Sequence, residues 1–268
     1  MRSNILLRVA LGLTVVGAPI ASATDYWDLS SNNDNGITTR TNLLHGASQQ
    51  HDLEANPGPV ADEDWYGATQ YPRYSYEAVI DAAGGDLNIQ DVTNFQRLDF
   101  GGTVTQTSEE ANVGSFGSGL ALRWQSTATG VEGVFLRFRS PSCGATCGPE
   151  DQYRIRFYDT TIAVPRFNNA ASQVTVLIVQ NPTGWTRNIA GTVYFYGATG
   201  ALLGSTTFSL PANGALVLNT ATVPNVAGAS GTITIAHDGG YGNLAVKSVA
   251  LEPATGFSFD SPGLYKPH

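Results

Sequence analysis

Apolar and polar side chains alternate along most of the chain from residue 74 onward. Residues 74–80 show the pattern first, with Tyr76, Ala78 and Ile80 at every second position. A period of two is that of a β-strand with one face toward a core. Further runs of this kind, separated by Gly, Asp and Asn, are 95–100, 103–107, 120–125, 133–139 and 153–158. Short strands at regular spacing predict a β-sandwich.

A second series of alternating runs follows Pro165, which we interpret as a hinge. These runs are 174–179, 192–196, 206–209, 215–218, 232–236 and 245–251. Asn-Pro and Asn-Gly pairs, both strong turn formers, fall between them. No stretch keeps a helical period for more than about two turns. The prediction is an all-β protein with two antiparallel β-sandwich domains of jelly-roll or immunoglobulin-like type, residues 57–161 and 162–262, and a tail at 263–268.

The first 23 residues have the pattern of a secretory signal peptide. Arg2 and Arg8 give a basic start, an apolar run at 9–16 follows, and small residues at 21–23 supply a cleavage site. That run is too short to span a bilayer. We expect cleavage after Ala23, no membrane span, and a secreted or periplasmic bacterial protein. Residues 24–56 are expected to form an irregular, extended lead-in, with at most a helical turn around 43–53.

Charge limits the partners of this chain. It has 14 Lys and Arg against 22 Asp and Glu, for a formal net charge of −8. Removing residues 1–23 takes away two arginines and no acids, so the mature charge becomes −8 − 2 = −10. Such an acidic chain is not expected to bind nucleic acid or an anionic membrane. Charged residues make up only 13%, as in turn-rich extracellular β-proteins.

The sequence contains two cysteines, Cys143 and Cys147. In a secreted chain a lone pair is most simply a disulfide, here a staple on a loop between two strands. Their C-x3-C spacing differs from the C-x-x-C spacing of a redox pair, and the sequence has no second cysteine pair to complete a zinc site.

Four short motifs stand at 62–66, 74–77, 98–102 and 151–155, and the first reads Asp-Glu-Asp-Trp-Tyr. Together they resemble bacterial pre-peptidase C-terminal (PPC) domains, over residues 57–161. In that family a D-x-D-W/F-Y segment opens a small sandwich and a G-x-Y-x-I/V-x-V strand closes it. Asp151 and Gln152 stand here where the family usually has a glycine. The resemblance implies a non-catalytic appendage of secreted hydrolases, some of which bind polymeric substrates. The second half resembles carbohydrate-binding jelly rolls.

No catalytic motif is recognised in the sequence. A serine hydrolase of the G-x-S-x-G type would show its nucleophile elbow, which is missing. His237 and Asp238 lie in a Gly-rich stretch and are interpreted as part of a turn. His45 and His51 are six residues apart, which is not the spacing of a helical zinc pair. They either converge on one metal or have structural hydrogen bonds. We therefore expect a protein that is not an enzyme.

The densest acidic cluster is residues 62–64. Oxygen ligands at alternate positions, Asp62 and Asp64, suit Ca²⁺, and Asp81, Asp86 and Asp99 would add ligands if the loops converge. The alternative is that these acids are solvated charges at the edge of a sheet. No cofactor is expected other than this possible calcium ion.

Five arginines alternate with apolar residues in three predicted strands. They are Arg123, Arg137, Arg139, Arg154 and Arg156. If those strands are neighbours, all five guanidinium groups share one outer surface. One interpretation is a salt-bridge ladder with Glu77, Glu132 and Asp159. The other is a docking face for an acidic polymer or partner, because guanidinium groups bind carboxylate and sulfate well.

Tyr71, Tyr74 and Trp185 lie in or beside predicted loops, where exposed rings can stack on sugars. Trp185 is the strongest single candidate because its Gly and Thr neighbours leave it little cover; the alternative is a ring folded onto the sandwich edge. The candidate ligand-binding residues are Trp185, Tyr71, Tyr74, Arg137, Arg139, Arg154 and Arg156. We expect a secreted, non-catalytic protein that binds a polysaccharide or cell-envelope surface. The alternatives are a self-assembling structural component, an accessory module of a secreted hydrolase, and a hydrolase with an unrecognised site.

Overall fold

The computed structural model describes residues 27, 34–38, 40–53, 63–83, 94–110, 119–139 and 150–268. The predicted signal peptide, Asp62, Asp86, Cys143 and Cys147 lie outside these residues, so cleavage, the disulfide and calcium stay predictions. Over the described ranges the chain is all-β, as predicted, with nineteen strands and one short 3₁₀ helix at Thr220–Thr222.

The first ten strands form two five-stranded sheets. They are β1 (Thr41–Asn42), β2 (Ser48–Asp52), β3 (Glu63–Gln70), β4 (Ser75–Ala82), β5 (Asn94–Leu98), β6 (Val104–Thr107), β7 (Glu109–Glu110), β8 (Gly119–Gln125), β9 (Glu132–Arg139) and β10 (Gln152–Asp159). Sheet A has the order β1-β3-β9-β5-β6, and sheet B has the order β2-β10-β4-β8-β7. Neighbouring strands are antiparallel, except that β1 and β3 are parallel.

Sheets A and B share one core, which makes the first half a sandwich. Tyr66 on β3 and Leu136 on β9 come from sheet A, and Ile80 on β4 and Ile155 on β10 come from sheet B; all four are fully buried in one apolar cluster. Because side chains alternate along a strand, the neighbours of these residues point to the outer faces of the sheets.

The remaining strands form a second sandwich. They are β11 (Ile162–Asn168), β12 (Val174–Gln180), β13 (Ile189–Gly197), β14 (Leu202–Leu210), β15 (Ala215–Asn219), β16 (Ser230–His237), β17 (Ala245–Glu252), β18 (Phe257–Pro262) and β19 (Leu264–Tyr265). Sheet C has the order β14-β13-β16-β11-β19, and sheet D has the order β15-β12-β17-β18. Val193 of sheet C and Leu177 of sheet D lie in their common core.

The prediction of an irregular lead-in over 24–56 is wrong for residues 41–42 and 48–52, and the helical turn predicted around 43–53 is wrong too. The first pair forms β1 and the second range forms β2, which are edge strands of sheets A and B. Leu43 and Leu53 beside them are buried in the first core. β1 has only two residues, and β2 reads Ser-Gln-Gln-His-Asp without an apolar residue, so neither strand shows a period of two.

Pro165 is not a hinge, because it lies within β11. The pairing of β11 with β16 shifts register between Val164 and Phe167. Proline has no N–H for the ladder, and a bulge is where a strand tolerates it. The predicted tail also contains a strand, since β19 pairs with β11. The chain leaves the first sandwich after β10, next to the predicted domain boundary between residues 161 and 162. That the two sandwiches are separate domains stays a prediction.

His237 connects the end of β16 to the link between the two sandwiches. Its Nε2–H donates to the carbonyl of Thr160 at 2.9 Å, and its Nδ1 accepts from the N–H of Gly239 at 3.1 Å. Both ring nitrogens are therefore used, which fits the predicted structural role in a turn. Burial lowers the pKa of His237 to about 4.

This low pKa predicts a loss of stability in acid. The imidazole of the unfolded chain takes up a proton near its ordinary pKa of 6.5, whereas the folded one stays neutral until about pH 4. Between those values the unfolded state binds more protons, so this group lowers the free energy of unfolding by about 1.4 kcal/mol per pH unit as the pH falls. Urea unfolding at pH 7 and pH 5 measures this slope.

His237→Asn removes this contribution, whatever it does to stability at pH 7. Burial also lowers the pKa of His51, to about 3, so that residue supplies a similar slope in both proteins. An equal pH slope in the wild type and in His237→Asn would contradict the prediction.

Candidate functional site

The five strand arginines do not share one surface. Arg137 and Arg139 lie on β9 in sheet A, whereas Arg123 on β8 and Arg154 and Arg156 on β10 belong to sheet B. The outer faces of a sandwich point in opposite directions, so the predicted common docking face is wrong. It failed because period two gives the face of each strand and not the sheet that contains it.

Carboxylates accompany the arginines on both outer faces. Arg154 and Arg156 both bind Asp81, at 2.7 and 3.1 Å. Arg123 binds Glu77 at 2.7 Å, as the salt-bridge interpretation predicts. The other two predicted partners have different contacts: Glu132 accepts from the amide of Gln70, and Asp159 accepts from the backbone of Thr161.

Glu63 forms ion pairs with the two arginines of sheet A, Arg137 and Arg139. It lies 3.8 Å from the guanidinium of Arg137 and 3.7 Å from that of Arg139. Arg137 also donates to the side chain of Gln96 and lies over the ring of Trp65. Outer-face arginines are therefore held by neighbours on the same sheet.

Trp185 is not the exposed ring that its neighbours suggest, since only 3% of it is accessible. The guanidinium carbons of Arg123 and Arg187 lie 4.6 and 4.8 Å from its ring centroid. Both arginines donate to Glu109, at 2.8 and 2.9 Å. Because Arg123 and Glu109 belong to the first sandwich, the indole is part of the contact between the sandwiches.

Tyr71 and Tyr74 occupy the turn between β3 and β4, as expected. They are 47% and 37% exposed, and their rings lie 5.5 Å apart at an angle of 43°. These two candidates therefore remain available to a ligand, although the tilted rings do not form a flat platform.

Asp64 and His51 are buried, and the structure brings them together with Asp34. His45 lies elsewhere, at the contact between the two sandwiches. Its Nδ1 accepts from the N–H of Asp159, and its ring lies beside Tyr241. The two histidines therefore do not converge on one metal.

Two of the predicted supporting calcium ligands have other roles. Asp81 binds the arginines of β10, and Asp99 accepts from the N–H of Thr103 at 2.8 Å in the turn after β5. Neither belongs to the group of acids and histidine that the structure assembles around Asp64.

An open groove of 270 Å³ lies on the outer face of sheet A, between β1, β3, β9 and the turn after β5. We call it the outer groove. The residues that line it are Arg40, Asn42, Leu43, Leu44, Gly67, Ala68, Thr69, Phe100, Gly133, Val134 and Phe135. Gly67 on β3 pairs with Phe135 on β9, and Gly133 on β9 pairs with Thr69 on β3. The two glycines have no side chains, so the floor of the groove is low at these positions.

An exposed aromatic ring forms one wall of the outer groove. Phe100 is 76% exposed and stacks on Phe135, with ring centroids 5.7 Å apart and an angle of 27°. Its turn is fixed by Asp99 and by Gly102, whose φ of 83° favours glycine. Leu44 on the opposite side is 73% exposed.

Arg40 brings the positive charge to the outer groove. Its guanidinium carbon lies 4.7 Å from the ring centroid of Phe135, and its Nη1 donates to the carbonyl of Ile37 at 2.8 Å. A side chain at Gly67 would come within 2.7 Å of the Arg40 Nε, so the glycine lets the arginine lie across β3. Exposed Asn42 and Thr69 add an amide and a hydroxyl.

The outer groove is not predicted from the sequence. One signal was present: Phe100 stands in a turn among Asp99, Gly101 and Gly102, where an aromatic ring has little to pack on. The glycines of β3 and β9 could not be assigned to one floor, because sequence does not state which strands are neighbours.

No protein-family model and no curated protein matches this chain. The resemblance to PPC domains therefore stays a prediction. Among solved structures, the extracellular region of zebrafish Gpr126/Adgrg6 is similar at 10% identity and a TM-score of 0.26, over 83% of this chain and 31% of that one.

Two glycosidases are also similar. The Bacteroides uniformis β-glucuronidase has 12% identity and a TM-score of 0.22, over 84% of this chain and 28% of that one. A β-glucuronidase of glycoside hydrolase family 2 has 12% identity and a TM-score of 0.19, over 85% and 26%. The chain spans less than a third of each of the three structures, and such low scores carry no conclusion about function. In the described part of the chain, no helix is long and apolar enough to cross a membrane.

The buried position of Trp185 predicts that Trp185→Ala is a stability variant. Removing a buried indole costs about 3–5 kcal/mol, because a cavity replaces its contacts. Tyr71→Ala is the control, since loss of an exposed ring changes stability by about 0.5 kcal/mol or less. Urea unfolding measures both variants, and a Trp185→Ala protein as stable as the wild type would contradict the assigned packing.

Proposed function

We propose that this protein is a non-catalytic binding protein whose outer groove holds a polysaccharide chain of the cell envelope or the exterior. The observation that carries the proposal is the exposed Phe100 ring, stacked on Phe135 beside a glycine floor. Sugar rings have apolar faces that stack on aromatic side chains, while their hydroxyl groups need polar partners at the edge.

The polar groups of the outer groove suit this kind of ligand. Arg40, Asn42 and Thr69 offer donors and acceptors around the aromatic wall. At 270 Å³ the groove is slightly smaller than the pockets of about 300–1,000 Å³ that enclose drug-sized ligands. Because it is open, it suits a few units of a longer polymer better than an isolated small molecule.

Tyr71 and Tyr74 extend the proposed surface. Thr69 lines the outer groove near the end of β3, and Tyr71 follows two residues later in the exposed turn. A polymer that leaves the groove in that direction meets two further rings.

Phe100→Ala should weaken polysaccharide binding by at least about tenfold, because one stacking ring is lost from an exposed position. Affinity electrophoresis or calorimetry measures the binding of the protein to neutral polysaccharides, acidic polysaccharides and isolated peptidoglycan. The wild type is screened first to find the polymer that it binds. The affinity of Phe100→Ala for that polymer is then compared with the affinity of the wild type.

Phe257→Ala is the matched control. Phe257 is 77% exposed, almost the same as Phe100, but it lies on β18 of the second sandwich. The proposal predicts unchanged binding in this control. If both variants bind alike, or if the folded wild type binds none of these polymers, the outer groove is not a glycan site.

Self-assembly is the second candidate function, and the edge of sheet C favours it. β14 has nine residues without charge or proline, and its one neighbour among the described strands is β13. β15, at the corresponding edge of sheet D, also lacks charge and proline, and exposes Val217. Long, uncharged edges invite pairing with another strand, here β14 of a second copy.

Thr207→Lys tests this second candidate. Thr207 is exposed on β14, and a lysine there opposes edge pairing. Analytical ultracentrifugation over a range of concentrations should show a dimer of the wild type that Thr207→Lys removes. Thr232→Lys, exposed on the interior strand β16, should keep the dimer. A wild type that stays monomeric throughout rules out assembly through β14.

A further inference from the structure

Arg40 carries a positive charge into the outer groove, and no carboxylate of the described residues pairs with it. The arginine ion pairs in that part of the chain are those of Arg123, Arg137, Arg139, Arg154, Arg156 and Arg187. Arg40 donates from Nη1 to the carbonyl of Ile37, and its Nε is buried without a hydrogen-bond partner. Its charge is therefore not paired with any acid that the structure describes.

The other arginines without an ion pair among the described residues do not line the outer groove. Arg97 packs over a tryptophan of the first core, Arg73 stands in the turn between β3 and β4, and Arg166 is exposed on the second sandwich. Arg40 lies instead in the groove that the exposed ring of Phe100 borders. A ligand in this groove therefore meets an unpaired positive charge and a stacking surface together.

The contacts of Arg40 fix the position of its guanidinium group. The Cζ atom lies 4.7 Å from the ring centroid of Phe135, and the carbonyl of Ile37 accepts from Nη1 at 2.8 Å. Gly67 leaves room for this arrangement, since a Cβ there would lie 2.7 Å from the Arg40 Nε. Nη1 keeps a second hydrogen and Nη2 keeps both of its own, which suffices for a bidentate contact with a carboxylate or sulfate group.

The charge of the groove differs in sign from that of the whole chain. Arg40 is the one charged residue among those that line the groove, whereas the chain has a formal net charge of −8. A negative chain does not attract polyanions over a distance. An acidic ligand would therefore be held by local contact with Arg40 and not by the general charge of the protein.

We infer that the polysaccharide of the outer groove is acidic, and that a carboxylate or sulfate group on one sugar unit pairs with Arg40. The inference rests on the proposed function, because it takes the occupant of the groove to be a glycan. Arg40 and Phe100 both contact the ring of Phe135, so the ion pair and the stacking contact can serve neighbouring units of one polymer. Arg40 thereby determines specificity, since a neutral glycan leaves its charge unpaired.

The test compares polymers with and without their charged groups, using the full chain. Polygalacturonate is measured beside its methyl-esterified form, alginate beside its esterified form, and dextran sulfate beside dextran, by affinity electrophoresis or calorimetry. The wild type should bind an anionic form at least about tenfold more tightly than the matching neutral form, because a hydrogen-bonded ion pair is lost with the charge. The pair of polymers that shows this preference tells carboxylate from sulfate.

Arg40→Gln should reduce the preference for the anionic form to about twofold or less, because the amide keeps polarity without charge. Arg166→Gln is the matched control: Arg166 also lies over a phenylalanine ring, with its Cζ 5.4 Å from the centroid of Phe259, but it belongs to the second sandwich. This control should keep the preference of the wild type. Thermal unfolding confirms that both variants fold, and Arg40→Lys, which keeps the charge but not the planar fork, is measured in place of an unfolded Arg40→Gln and should bind the anionic form more weakly than the wild type.

The outcomes separate this inference from the proposed function. If the wild type binds neutral and anionic forms alike, or prefers neutral ones, the inference is overturned while a glycan groove stands. An anionic preference that Arg40→Gln retains also overturns it, because the charge is then read elsewhere. If the folded wild type binds none of the polymers, neutral or anionic, the proposed function fails together with the inference.

Discussion

Alternation of side chains across the pleat is the constraint on which the first sandwich depends. Every strand gives half of its residues to the shared core, and the other half must find partners on an outer face. On sheet B the outer face is filled by arginines and the acids of β4, such as Arg154 and Asp81. On sheet A the same requirement leaves aromatic rings and glycines beside Arg40, and the outer groove results from it.

The two sandwiches have separate apolar cores and are joined by ion pairs, hydrogen bonds and aromatic contacts. Trp185 lies between Arg123 and Arg187, and Glu109 binds both guanidinium groups. Glu77 adds a second link, since it binds Arg123 and also accepts from the backbone N–H of Tyr241 at 2.9 Å. Because Trp185 is buried in this contact, a change in a Trp185 variant reports on stability and not on a ligand site.

The sequence predicts the fold better than the site, for a physical reason. A period of two is visible within one strand, so the all-β class and most of the strands from β4 to β17 could be predicted from local pattern. The exceptions are β7, which has two residues, and β11, where Pro165 predicted a hinge. Strand neighbours depend on pairing between distant residues. For that reason the arginines of β8, β9 and β10 were grouped wrongly, and Gly67 was not connected with Gly133. His51 on β2 and Asp64 on β3 belong to different sheets and meet Asp34 only in the folded chain. β2 has no apolar residue, so the sequence shows no alternation there.

Hydrogen exchange with the bound polysaccharide tests the central claim, that the outer face of sheet A is the ligand-binding surface. The account predicts slower exchange at residues 40–44, 66–69, 99–103 and 132–135 when the polymer is present, with the second sandwich unchanged. Protection confined to residues 202–210, or to no part of sheet A, would contradict it.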